Sequence, residues 1–293
     1  MKKNEKIRDR DVNKTLKAEM AQLLRARVTQ YREQRDRLRA YVKSNPAAPA
    51  FQREMDREQV TSEVRKLTEM WNDVMPYIRK IKSSIGDVLD HNRLTAGYLL
   101  FGKVSQGFAA IFVLAKDGFH YEVMEITRSN REALDLIALF LRADSSALLR
   151  KWFEGEIVEN VKARDALEEQ IEDTAAKSGI SVRGMKAGIY GALSKYSHVS
   201  YVALLEAYDI FHHDFDFERI AGYHWVLNSS LPYLRTEIHS VIITLKAFYS
   251  AIADGESYLG LDTLLRKYAP HMYDESAKKA RAADFRARFP QSD

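Results

Sequence analysis

Cysteine is absent from the 293 residues, which excludes a disulfide framework, a thiol nucleophile and a cysteine-bound zinc. Proline and glycine are scarce, at 6 and 13 residues, so few positions interrupt regular backbone. Strand-like alternation is rare, and no internal repeat or low-complexity tract stands out. The charged N-terminus Met1-Lys-Lys-Asn-Glu-Lys6 is not followed by an apolar signal core, so a cytoplasmic location is expected rather than secretion. Charged and apolar shares of 29% and 46% are ordinary for a globular chain and argue against wholesale disorder. What remains is apolar residues at helical period over long stretches. The expected class is all-α, a multi-helix bundle preceded by a long basic amphipathic helix.

Charge divides the chain. Residues 1–45 carry a balance of +8, residues 46–274 of −6, and residues 275–293 of +2. The first segment places Leu16, Met20, Leu23, Leu24, Val28, Tyr31, Leu38 and Val42 along one seam, interrupted by Arg35. The run Asn45-Pro-Ala-Ala-Pro49 then breaks it, because proline cannot continue a helix. The sequence therefore divides into a basic helical arm over 1–45, a bundle over 50–270 and a basic tail over 271–293.

Within the bundle, a helix is expected from Gln52 to Leu89, burying Val64, Leu67, Trp71, Val74 and Ile78 and kinked at Pro76. A second spans Leu94–Ala115. It has the length of a membrane span, but Lys103, Ser105 and Gln106 sit at its centre, where charge is costly. A central helix buried within a bundle, with no membrane, is the expectation. A Lys116-Asp-Gly118 turn leads to a helix over Tyr121–Phe140. Further helices are read around Trp152, from Glu156 to Lys177, from Val182 to Phe211, from Ile220 to Ala253 with a kink near Pro232, and around Leu261–Tyr268.

Arg128 and Glu132 stand one helical turn apart inside an apolar stripe. Tyr121, Met124, Arg128, Glu132, Leu136 and Leu139 share one face, while Val123, Ile126, Leu134, Ile137 and Leu141 line the other. Apolar faces on both sides imply partial burial, so the pair is either a structural ion pair or a guanidinium held ready for a phosphate or carboxylate. A second stripe, Tyr190, Ser194, His198, Tyr201, Leu205 and Tyr208, falls at steps of four, four, three, four and three. His198 there can serve as a general acid/base, or as a core histidine satisfied by Ser194 or Glu132.

Arg-x-x-x-Glu on an apolar helix, then a charged helix, then Tyr-x-x-Leu-Ser-x-x-x-His, resembles a bacterial all-helical family of unknown function related to HEPN domains. The matching residues are Arg128, Glu132, Tyr190, Leu193, Ser194 and His198, within residues 90–215. The resemblance implies a helical bundle, often dimeric, in a superfamily that includes metal-independent ribonucleases of toxin–antitoxin and phage-defence systems. It implies Arg128 on phosphate, His198 as acid/base, Glu132 orienting one of them, and Tyr190, Ser194 and Tyr201 in support. The compact Arg-x(4–6)-His string of active HEPN nucleases occurs at Arg219–His224 and Arg266–His271, no more often than chance supplies.

His212, His213, Asp214, Asp216 and Glu218 crowd one loop and offer ligands for a divalent metal, or simply a solvated connection. The solvated loop is the expectation, with no metal and no cofactor. In the arm, Arg25, Arg32, Arg35 and Arg39 belong to a cationic sleeve that suits nucleic acid or a docking arm for a protein partner. The functional expectation is a homodimeric, HEPN-like defence or stress protein that binds RNA and cleaves it if catalytic. The alternative is a non-catalytic interaction module whose Arg128–Glu132–His198 cluster holds helices together. A metal-dependent phosphohydrolase ranks third.

Overall fold

A computed structural model describes residues 47–142, 145–158 and 222–273, with separate positions between 22 and 45. Every described position from 22 to 44 is helical, and Asn45 is not. The described residues form helices and turns without a strand, an all-α bundle.

Helix α1 (Ala48–Lys80) has Pro49 in its first turn, where the fixed φ suits the helix and the missing N–H would be unpaired anyway. It buries Val60, Val64, Leu67, Trp71, Val74 and Ile78, alternate steps of four and three that form one continuous stripe. Pro76 lies inside the helix without ending it. Its position and that of Asn72, whose carbonyl loses a partner, are both on the exposed side, where water can satisfy the oxygen. The helix stops at Lys80, earlier than expected, and passes through the 3-10 turn Ile81–Ser84 into extended backbone at Ile85.

Helix α2 (Arg93–Lys116) is capped by the Asn92 side chain, which accepts from the backbone N–H of Leu94 and Thr95 at 2.9 and 3.1 Å. Gly118 takes a positive φ of 86° in the turn that follows, and α3 (His120–Phe140) returns antiparallel. Helix α4 (Ser146–Phe153) is short and docks Trp152 on Phe140 with ring centroids 5.5 Å apart.

The next helical run begins with one turn at Tyr223–Trp225, widens to a π turn over Val226–Ser230 and continues as α5 (Leu231–Ala251). Pro232 explains the widening: its ring would collide with the carbonyl four residues back, at Asn228, and the wider turn moves that carbonyl away. His120 Nδ1 and Ser230 Oγ share a 2.6 Å hydrogen bond, buried, that fastens the π turn to the start of α3. Helix α6 (Gly255–Tyr268) begins at Asp254, which caps it by accepting from Ser257 N–H at 3.0 Å.

Helix α5 lies against α1, α3 and α6, and α1 lies against α2, α5 and α6. Aromatic rings close the centre, with Trp71 stacked on Phe108 at 4.2 Å and Phe101 edge-on to Phe248 at 5.9 Å. Helix α6 buries Leu261 and Leu265 in the core and is held by polar contacts as well. Lys267 donates to Asp73, Lys80 to Ser257 while pairing with Asp254, and Lys246 to Asp262.

Helix α2 departs from the expected buried central helix. Its inner side carries Ala96, Leu100, Phe101, Val104, Phe108, Ile111 and Ala115 into the core. Its most apolar window, with mean hydropathy 1.5, is only 33% buried. The outer side carries exposed Leu99, Ala110 and Val113 together with Lys103 and Gln106.

Candidate functional surface

That outer side is a single stripe. Leu99, Lys103, Gln106, Ala110 and Val113 follow one another at steps of four, three, four and three and are all exposed, Leu99 by 42% and Val113 by 62%. Helix α3 runs beside it in a register fixed by Gly107 against Asn130 and by the electrostatic contact of Lys103 with Glu132. Partly buried Tyr121, Arg128, Glu132 and Leu136 stand along α3.

Arg128 donates from Nε to Glu132 Oε1 at 3.1 Å, the pair spanning one turn of α3. The side chains are 22% and 36% exposed, so the pair is neither buried nor freely solvated. Lys103 belongs to the same cluster. Loss of water around its ammonium lowers its pKa below the ordinary lysine value, against the opposing pull of Glu132. The hairpin thus offers a polar group of Lys103, Arg128 and Glu132 flanked by Leu99, Val113, Tyr121 and Leu136. Such an arrangement suits recognition of another molecule's surface.

The buried ion pair that the α3 sequence suggests exists, at a different arginine. Arg131 donates from Nε to Glu237 Oε1 at 3.1 Å, makes a shorter contact through Nη2, and donates to Ser240 Oγ at 3.1 Å. Glu237 is 1% exposed, and Asp135 beside it is buried as well. Burial raises the Glu237 pKa above the ordinary carboxylate value, against Arg131 and with the help of Asp135. The phenol of Tyr233 is pushed up to about 12, first by burial and then by Glu237. Among the described residues, Glu237 Oε2 has no hydrogen-bond partner, and neither amide atom of buried Asn130 has one. One signal in the sequence could have found this pair: Glu237 is the only acid in the apolar stretch Leu231–Ala251.

Of the remaining residues singled out from sequence, Arg25 is exposed on the helical arm. Arg32, Arg35 and Arg39 lie outside the described residues, as do Tyr190, Ser194, His198 and Tyr201 and the whole His212–Glu218 loop. The structure therefore brings Arg128 and Glu132 together and describes no further member of that expected cluster. Among the described residues, no three His, Asp or Glu side chains are grouped to hold a metal ion.

Comparison with protein families, curated proteins and solved structures finds no match to this chain.

Proposed function

We propose that the chain is a non-catalytic interaction module whose α2–α3 face docks an amphipathic helix of a protein partner. The observation that carries this reading is the exposed Leu99–Lys103–Gln106–Ala110–Val113 stripe. Exposed apolar side chains interleaved with polar ones suit a protein interface, and two antiparallel helices leave a groove that accepts a third. From Leu99 to Val113 the stripe is about 21 Å long at 1.5 Å per residue, long enough for four turns of a partner helix. Lys103, Gln106 and Glu132 require polar complements, which a protein supplies and lipid tails do not.

The test is the size of the complex formed by the full chain in cells that express it. Wild type should elute as an assembly, and a Leu99→Asp/Val113→Asp variant as a single chain with an unchanged thermal melt. A variant that still elutes as the assembly sinks the reading. If the assembly contains only this chain, the occupant is a second copy, as a homodimer requires.

A second reading is favoured by the partly buried Arg128, whose guanidinium Glu132 orients. On this reading the face binds RNA and cleaves it without metal, with Arg128 on phosphate, His198 as acid/base and Tyr190, Ser194 and Tyr201 in support. Arg25, Arg32, Arg35 and Arg39 of the arm attract the backbone through a salt-sensitive term. The carboxylate of Glu132 repels phosphate, which places this reading second. It predicts that wild type degrades total RNA in excess chelator while folded Arg128→Ala and His198→Ala do not. Intact RNA with wild type counts against it.

A further inference from the structure

The arm that precedes α1 carries a surface of its own, apart from the α2–α3 face. Leu24, Val28, Tyr31, Arg35, Leu38 and Val42 follow one another at steps of four, three, four, three and four. That is the 3.5-residue repeat with which one helix winds against another. At 1.5 Å per residue the seam is about 27 Å long. The described positions of the arm fit this register. From 22 to 44 all are helical, and all are exposed except Val28, the one seam residue among them, which is partly buried. Thr29 and Ser44 stand off the seam. There each hydroxyl turns back on the helix and donates to the carbonyl four residues earlier, at 3.2 and 3.3 Å.

The same register sorts the charges. The positions that border the seam hold Arg25, Arg27, Arg32, Gln34, Arg39 and Tyr41, so four are arginine and none is acidic. The acids of this stretch, Glu33 and Asp36, fall on the outer side with Arg37, and all three are exposed. When two helices pair along such a seam, the bordering residues face each other and choose the partner. A second copy of the arm is a poor choice. Set parallel, it opposes Arg27 to Arg32 and brings the two Arg35 positions together on the seam. Set antiparallel, the row Arg25, Arg32 and Arg39 faces its own copy. An RNA strand would satisfy the arginines and leave the apolar seam between them uncovered.

We propose that residues 24–42 form one helix of a two-protein coiled coil, whose other helix is acidic and amphipathic. That partner helix carries glutamate or aspartate along both borders of its own apolar seam. It also places a carboxylate opposite Arg35, because a guanidinium on a covered seam is costly unless it is paired.

Titration of the full chain with three synthetic helices, read by fluorescence anisotropy, tests this. The first has leucine on the seam and glutamate along both borders. The second has lysine borders, and the third keeps the glutamates but has serine on the seam. The first should bind, and the other two at least about tenfold more weakly. An Arg25→Glu/Arg32→Glu/Arg39→Glu variant should lose about tenfold for the first helix and gain the second, since three exposed pairs are reversed together. A Leu24→Asp/Leu38→Asp variant should bind neither, and Arg37→Glu, on the outer side, should bind as wild type does. The thermal melt of the bundle should be the same in every variant. The proposal is overturned if the first helix does not bind, or if either of the others binds as tightly. It is overturned equally by self-association of the chain that Leu24→Asp/Leu38→Asp abolishes. Tighter binding of an oligouridylate, lost in the triple glutamate variant, overturns it in favour of RNA.

Discussion

Replacing Arg131 by alanine should lower the stability of the fold by about 3–5 kcal/mol, whereas Arg128→Ala should cost about 0.5 kcal/mol or less. The two arginines stand three residues apart on one helix, and burial separates them. Without Arg131, the Glu237 carboxyl at 1% exposure keeps its desolvation cost and loses its cation, with Asp135 still beside it. It must then take up a proton or recruit water. Without Arg128, the 36% exposed carboxylate of Glu132 turns to solvent. A second variant separates the pair's worth from the penalty of breaking it. Joint replacement by Arg131→Met and Glu237→Leu should recover most of the loss, because a buried pair exchanged for packed apolar groups is often neutral or stabilising. Urea unfolding midpoints decide it, and equal losses for Arg131→Ala and Arg128→Ala contradict the assignment.

The second large effect belongs to Gly107. A Cβ at this position would stand 2.1 Å from Asn130 Oδ1, across the α2–α3 contact. Alanine in a helix interior by itself gains about 0.5–1 kcal/mol over glycine, so any net loss measures the clash. We expect Gly107→Ala to destabilise by about 1–3 kcal/mol, the range for overpacking. Asn130 is short and 1% exposed, so moving it clear disturbs packed neighbours. Its amide atoms make no hydrogen bond among the described residues, so Asn130→Ala sacrifices packing and no partner. The double variant should therefore be more stable than Gly107→Ala alone, with a coupling of about 0.5–3 kcal/mol. Simple additivity of the two changes would mean that the helices meet elsewhere.

Much of the fold was legible because periodicity reports burial directly. Val64, Leu67, Trp71, Val74 and Ile78 were the expected stripe of α1, and all are buried. The Lys116–Gly118 turn and the irregularity near Pro232 were readable from proline and glycine stereochemistry. Helix α6 starts six residues earlier than expected, because its first turn is fixed by the Asp254 cap and by Lys80 rather than by apolar spacing. The pairing of Arg131 with Glu237 joins residues 106 positions apart, and local spacing cannot choose between Arg128 and Arg131 for that role. Periodicity also misread α2. The helix was expected to be a buried central one, while its most apolar window is 33% buried and the side that faces α1, α3 and Phe248 is the covered one. The stripe left outside became the candidate surface. The stripe around His198 lies outside the described residues, and its reading rests on sequence and resemblance alone.

The most direct measurement is site-specific photo-crosslinking in cells, with benzophenone placed at Ala110 on the exposed stripe of the full chain. The account predicts one discrete protein adduct, resistant to nuclease, lost when Leu99→Asp and Val113→Asp are added, and absent when the probe is moved to exposed Arg65 of α1. Peptide mapping should place the partner's crosslinked residue on an amphipathic helix. Absence of any adduct, adducts that nuclease removes, or crosslinks confined within the same chain would contradict the claim that α2 and α3 present a protein-docking face.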